Sequence, residues 1–382
     1  MIASISNPKF GIYIHWPFCA SKCPYCDFNS HVRESIDVSR WKQAYLKELE
    51  STAEKFGKRF VDTIFFGGGT PSLMETFLVS DILEYIEFKF GISPDTEITL
   101  EANPSSAEAS KFRSIHGAGV NRLSLGIQSF DDRSLNFLGR AHSAQEGRVA
   151  LNSAIDIFPR VSLDLIYALP DQTHLAWRNE LSEALSFGAE HISAYQLTLE
   201  KGTPFFHAAK QGKLVLPDEN TSTAHYEVTQ ELCDKAGMSA YEISNHCFPG
   251  QESRHNLLYW RSRDWIGVGP GAHGRINTSS GRISTQQIQS PESWLNAVES
   301  GKSGKFLEEY LDKNSVCEEA LLMGLRLTEG IQDEWFLELT GYDIESTFAP
   351  SLFELTALGL LDWNGRRLCT TDSGRLVLEE VV

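Results

Sequence analysis

No stretch of this 382-residue chain runs apolar for the roughly 20 residues that a helix needs to cross a bilayer, so any contact with a membrane is expected to be peripheral. Basic residues are scarce. Lys and Arg number 34 against 51 Asp and Glu, a net charge of −17, with no lysine-rich run to grip phosphates or anionic lipid. That balance argues against nucleic acid as a partner. There is no internal repeat, no low-complexity tract and no signal-peptide pattern. Cysteines are few and odd in number, seven in all, which points to a reducing cytoplasm and away from disulfides. The length allows two or three domains with cores of their own.

Three of the seven cysteines fall together, in Cys19-Ala-Ser-Lys-Cys23-Pro-Tyr-Cys26, just after the apolar run Gly11 to His15. A structural zinc site closes with four protein ligands, and a [4Fe–4S] cluster held wholly by protein takes four thiolates. Here no fourth cysteine is near. Three thiolates can hold three irons of a cubane and leave the fourth open to a small molecule; an incomplete zinc knuckle or a disulfide with a spare thiol accounts for the spacing less well. Cys233, Cys247, Cys317 and Cys369 are scattered and read as small buried hydrophobes.

Short apolar or β-branched runs at 11–15, 61–66, 96–101, 122–127, 161–166 and 191–197 alternate with amphipathic helical segments such as 39–56 and 174–187. Six βα units predict an α/β fold, a parallel sheet curled into a partial (β/α)6 barrel with its reactive groups at the C-terminal ends of the strands. The conspicuous segments fall there: the cysteine loop after the first run, Gly67-Gly68-Gly69-Thr70-Pro71 after the second, Glu101-Ala-Asn-Pro104 after the third, Gly126-Ile-Gln128 after the fourth and Asp164 within the fifth. Beyond about residue 300 the pattern changes to helices near 315–327, 332–340 and 350–359, followed by two short strands around the turn Asn364-Gly365. This predicts a winged-helix-like unit. It carries 16 acidic and 7 basic residues, the wrong sign for a phosphate backbone, so a docking or lid module is expected rather than a DNA reader. The expected divisions are 1–212, the barrel; 213–300, a central segment; and 301–382, the C-terminal domain.

At these residues the chain resembles the radical SAM superfamily, and within it the branch that contains oxygen-independent coproporphyrinogen III oxidase. The resemblance implies that S-adenosylmethionine chelates the open iron and that Gly68, Gly69 and Thr70 meet its amino acid end. Glu101, Gln128, Arg140 and Asp164 match the polar contacts of that branch, and their chemistry suits such contacts, since carboxylates accept from ribose hydroxyls or an ammonium and a guanidinium pairs with a carboxylate. Tyr13 and Tyr25 match positions flanking cofactor and cluster. Taken singly, each of these residues has a structural reading as well.

Two departures separate the chain from the oxidase. Only eighteen residues precede Cys19, and Phe28 stands where the oxidase has a fourth cysteine. Arg254-His255-Asn256-Leu-Leu-Tyr259-Trp260 is instead similar to the H-N-x-x-Y-W motif of HemW-type heme chaperones, as are the segments 23–31, 101–104, 163–172, 195–198 and 267–274. That resemblance implies heme as cofactor and cargo, His255 as its ligand, apo-hemoproteins as acceptors and a flavodoxin- or ferredoxin-type electron donor. His246, Cys247 and His273 are rival axial ligands. The same His-Asn pair followed by aromatics also reads as a buried hydrogen-bonded packing motif. The alternative activity is radical oxidative decarboxylation of coproporphyrinogen III.

Overall fold

A computed structural model describes residues 9–382. Its centre is a twelve-stranded sheet. Six parallel strands follow one another in space as in sequence: β1 (Phe10–Trp16), β2 (Val61–Gly68), β3 (Ile92–Ala102), β4 (Arg122–Gln128), β5 (Arg160–Tyr167) and β6 (His191–Gln196). These are the six expected runs. Beyond β6 lie β7 (Ser239–Ala240) and β8 (Asn245–Cys247), with β8 antiparallel to β6. On the other side β9 (Asp264–Val268) is a seventh parallel strand beside β1, and the antiparallel β10 (His273–Thr278), β11 (Gly281–Gln287) and β12 (Lys305–Tyr310) complete the sheet.

Successive side chains of a strand point to opposite faces, and the six barrel strands use the two faces differently. Ile12, Ile14, Ile64, Phe66, Leu100, Leu123, Leu125, Leu163 and Ile192 are fully buried on the outer face. They form one core with Trp41, Tyr45 and Leu49 of α1 (Val38–Phe56), Leu78 and Ile82 of α2 (Thr76–Lys89), Leu151 of α3 (Ala144–Ile157) and Trp177 of α4 (His174–Ser186). Three of these four helices start where the sequence supplies a side-chain cap; α2 has none. Asp37 accepts from the Arg40 N–H, Ser143 and Glu146 form a reciprocal capping box, and Thr173 accepts from the Ala176 N–H.

The alternate residues face inward and are mostly polar. At the base of the barrel the buried Glu97 carboxylate pairs with Arg160 and accepts from the backbone N–H groups of Arg254 (3.1 Å) and His255 (3.0 Å). It thereby fastens the start of α6 (Arg254–Trp260), which follows α5 (Glu219–Lys235), onto the barrel. Arg122, also buried, donates to Ser162 Oγ at 2.8 Å.

The C-terminal unit has its own core, including Cys317, Phe336, Ile344, Leu352, Leu361 and Leu368. It comprises α8 (Lys313–Gly324), α9 (Asp333–Thr340), α10 (Ile344–Ala357) and a small sheet in the order β13 (Ile331–Gln332), β15 (Arg367–Thr370), β14 (Leu361–Trp363). Before it, α7 (Pro291–Glu299) packs on α1 through the stacked indoles of Trp41 and Trp294. The helix expected from residue 350 starts at Ile344 instead, and bends at Phe348, two residues before Pro350. Contact with the barrel runs through the Thr328 N–H to Tyr241 O (3.0 Å) and through the buried Glu242 with Arg326 (3.0 Å).

One acid in the fold is out of place on stability grounds. Glu48 of α1 is buried against Trp294 and Gly304, and its Oε2 has no well-formed hydrogen bond. Burial raises its pKa to about 7. A folded-state value above the unfolded one contributes stability below about pH 4.5 that is lost as pH rises through 7. Glu48→Gln should therefore be the more stable protein at pH 8, by up to about 3 kcal/mol, and lose that advantage by pH 4. Denaturant unfolding at the two pH values measures it.

Candidate functional site

The polar inner face opens at the C-terminal end of the strands into a cavity of about 600 Å³. Cys19, Cys23 and Cys26 line it, all three partly exposed, while the other four cysteines are buried elsewhere. The loop that carries them is held from two sides. Underneath, the turn after β2 passes so close that a Cβ on Gly69 would lie 2.6 Å from the Phe18 carbonyl oxygen, and the Gly69 and Thr70 N–H groups donate to Trp16 O (2.7 Å) and Phe18 O (2.8 Å). Only glycine fits such an approach. On the far side, Asn29 Nδ2 donates to Pro270 O and to Gln289 O, each at 2.9 Å, and the His15 ring bonds to Asn29 O at 2.9 Å.

Polar groups are aimed at the thiols. Thr70 Oγ1 is 3.4 Å from Cys19 Sγ, and Arg140 Nη1 is 3.6 Å from Cys23 Sγ. Arg140 is oriented by Asn103 Oδ1 and by Gly126 O at 3.0 Å, and Asn103 donates to Thr70 Oγ1 at 3.2 Å. Tyr25 lies beside Cys23 and Arg140, backed by Phe205. Burial pushes the Cys19 and Cys26 thiols up, the reverse of a nucleophilic cysteine. Among the described residues no three His, Cys, Asp or Glu side chains are gathered to enclose one ion. A cubane asks each thiolate for a different iron, so it fits a more open triplet.

Deeper in the cavity stand two buried carboxylates. Glu101 accepts from the Gly68 N–H at 3.1 Å, and Asp164 accepts from Ser124 Oγ at 3.0 Å. Burial, then the charge of Asp164, raises Glu101 to about 8; burial likewise raises Asp164. Neither carboxylate forms an ion pair among the described residues, although the charges of Arg122 and Arg140 act on Asp164, and the pair suits a ligand that brings an ammonium and hydroxyl donors. Gln128 closes this side with φ of 68°, a left-handed conformation uncommon outside glycine, and a Cβ on Gly126 would stand 2.8 Å from its amide nitrogen. The residues present therefore fit a cluster on three thiolates and a cationic, hydroxyl-bearing ligand beside it.

Of the residues singled out in the sequence, the three cysteines, Tyr25, Gly68, Gly69, Thr70, Glu101, Gln128, Arg140 and Asp164 line this one cavity. Tyr13 and His255 are not on its wall. Tyr13 lies further inside the barrel, stacked on Phe65 and His255, with its hydroxyl 3.1 Å from His15 Nδ1. His255 is buried with both ring nitrogens engaged, Nδ1 with Thr63 Oγ1 and Nε2 with Tyr259 OH, each at 2.7 Å. Burial lowers its pKa to about 3. In this arrangement it has no free nitrogen for iron. Among the rivals, His246 and Cys247 are buried, His246 bonded to Gln230 at 3.1 Å, and His273 is exposed. Three supporting residues, Asn103, Asn29 and His15, carry no individual mark in the sequence, although Asn103 and Asn29 stand inside the segments 101–104 and 23–31; a polar side chain in such a loop segment is the signal that could find them.

Residues 13–181 match the radical SAM superfamily and residues 311–377 the HemN C-terminal domain. The chain is 37% identical to the Bos taurus "Radical S-adenosyl methionine domain-containing protein 1, mitochondrial", over 98% of this chain and 87% of that one. It is 36% identical to the heme chaperone HemW of Escherichia coli K12, over 99% and 98% of the two chains. The HemW of Mycobacterium tuberculosis is 35% identical over 100% and 96%. Among solved structures, coproporphyrinogen III oxidase (HemN) of Escherichia coli, titled a radical SAM enzyme, superimposes with a TM-score of 0.82 over 99% of this chain and 90% of that one. At 20% identity that likeness concerns the fold.

Arg140 joins the second strand turn, the third and the fourth through Asn103 and Gly126. If Arg140 makes the ligand contact that the resemblance implies, Arg140→Ala should weaken S-adenosylmethionine by roughly ten- to a hundredfold, the loss of one charge-assisted contact. An anaerobic titration that finds unchanged affinity would remove this residue from the ligand site.

Proposed function

This chain belongs to the HemW family of radical SAM proteins, and from that premise we propose that it is a heme carrier that holds a [4Fe–4S] cluster on Cys19, Cys23 and Cys26 with S-adenosylmethionine on the open iron, and passes heme to apo-hemoproteins. The observation that carries the cofactor half is the cavity wall, where three of seven cysteines meet two buried carboxylates. Chaperone is preferred over decarboxylase because full-length identity reaches 36% with a heme chaperone and 20% with the oxidase. Phe28, 58% exposed on the cysteine loop, in place of a fourth thiol supports the same preference.

When bound, the cluster supplies an electron that can cleave the sulfonium to a carbon radical. The chain's own groups do the rest. Thr70 and Arg140 direct donors at two of the sulfurs, a means of tuning a cluster's potential. Gly68 and Gly69 bring backbone close to the ligand, and Glu101 and Asp164 take its hydroxyls or ammonium. In this reading residues 1–212 carry the cofactors, 213–300 the heme motif and 301–382 an acidic docking unit. A small electron donor meets the cysteine loop. No helix among the described residues is long and apolar enough to cross a membrane, and we place the protein in the cytoplasm with peripheral membrane contact. Ligation of heme iron by His255 belongs to a state in which Tyr259 and Thr63 have released its ring; here the ring pins α6 to the barrel.

Replacing Cys19, Cys23 and Cys26 with Ala should abolish iron content and the iron–sulfur absorption; a fully reconstituted cluster in that triple variant would sink the ligand assignment. Anaerobically purified wild type should bind heme and release no porphyrin product from coproporphyrinogen III in the presence of S-adenosylmethionine and a reductant, whereas product formation would turn the reading to the oxidase. His255→Ala should shift the Soret band while the cluster stays intact, and an unaltered heme spectrum would move the axial ligand elsewhere.

A further inference from the structure

A second cavity, of about 290 Å³, lies where α6 meets the C-terminal unit. Trp260, Arg261 and Arg263 line it from the end of α6 and the turn after it, and Glu329, Gln332 and Trp335 from the other side. The two indoles provide flat apolar surface. Trp260 is held in place by Arg326, whose guanidinium carbon stands 4.6 Å from the ring centroid and which is itself paired with the buried Glu242.

The charges of this cleft do not balance. Arg261 is matched by Glu329 at 2.7 Å. Arg263 is half-buried and forms no ion pair among the described residues. The acids nearest in charge effect are Glu338, which does not reach it, and Asp264, which is taken by Arg59 at 2.6 Å. Arg263 Nε and Trp260 Nε1 are both shielded from solvent and have no hydrogen-bond partner. A buried donor without a partner costs about 1–3 kcal/mol, more when charged, so a local shift that lets a ligand in the cleft reach these two is favoured. Two aromatic faces with an unmatched guanidinium are the chemistry of a flat ligand bearing a carboxylate.

We propose that this cleft takes the propionate edge of heme, with the macrocycle against Trp260 and Trp335 and a propionate on Arg263. The proposal rests on the heme-carrier reading and adds to it the place and the recognising groups. The volume is that of about ten waters, enough for an edge of the macrocycle and not for the whole. Trp260 and His255 lie about 140° apart around the axis of α6, so the helix turns one residue to this cleft and the other to the barrel interior. The residues lining the cleft include no histidine or cysteine. Heme held here by its edge has no bond from protein to iron, so this is a holding place for transfer, separate from the state in which His255, on the other side of α6, ligates the iron.

The test titrates the cluster-loaded full-length chain with hemin, hemin dimethyl ester and iron-free protoporphyrin IX, followed by porphyrin absorption and tryptophan fluorescence. Arg263→Met and Trp335→Leu should each weaken hemin by about tenfold or more, with cluster content unchanged. Wild type should bind the ester about as weakly as Arg263→Met binds hemin, and should bind protoporphyrin IX within a few-fold of hemin. Wild type that accepts ester and hemin equally, or variants that hold hemin as wild type does, would overturn the edge site while leaving the carrier reading intact. Wild type that binds no hemin at all would overturn the carrier reading and the site with it.

Discussion

Everything functional in this protein follows from the two-residue period of its parallel strands. One face of each barrel strand is given to aliphatic and aromatic side chains that bury against the helices, so the other face must carry whatever is left. Here that remainder is polar and charged. A dry interior full of such groups would cost several kcal/mol per unpaired charge, so the inner layer has to be saturated or opened to ligand. At the base it is saturated: Glu97 takes Arg160 and two backbone N–H groups, and Arg122 takes Ser162. At the top it is open, and there Glu101 and Asp164 face a cavity with the three thiols.

The helix α6 is where the two ends of that arrangement meet the rest of the molecule. Its first turn is held by Glu97, His255 and Tyr259 fill the barrel interior, Asn256 reaches the wall of the thiol cavity, and Trp260 faces the second cleft. A short helix with three differently occupied sides touches cofactor cavity, barrel base and C-terminal unit at once. The acidic C-terminal unit is thereby tied in by Glu242 and Arg326 rather than tethered loosely, and its position completes the wall of a cleft that neither part forms alone.

The six barrel strands are legible in the sequence because a parallel strand buried on one side by helices is rich in Ile, Leu, Val and Phe, and because turn residues punctuate it. The cysteine loop is legible for a different reason: three ligands within eight residues are a local fact. Strand β9 is not, since its partner β1 lies some 250 residues away in sequence and nothing local marks that pairing. The start of α10 is hidden because Pro350 reads as a helix start, where the fold tolerates it inside a bent helix.

By itself the sequence determined the chemistry available: which thiols are close enough to share a cluster, which turns lack a Cβ, and which strand ends carry an acid or an amide. Those are properties of residue type and short spacing, and they survive without knowledge of the fold. Tertiary structure decided which of those groups meet. It brought Arg140 to Cys23 across more than a hundred residues, set Glu101 against Asp164, turned the ring of His255 inward onto Thr63 and Tyr259, and left Arg263 Nε without a hydrogen-bond partner in a cleft with two indoles. The reason is physical. Hydrogen bonding and desolvation act over a few ångströms, and only the folded sheet and its docked C-terminal unit determine which distant residues come within that range.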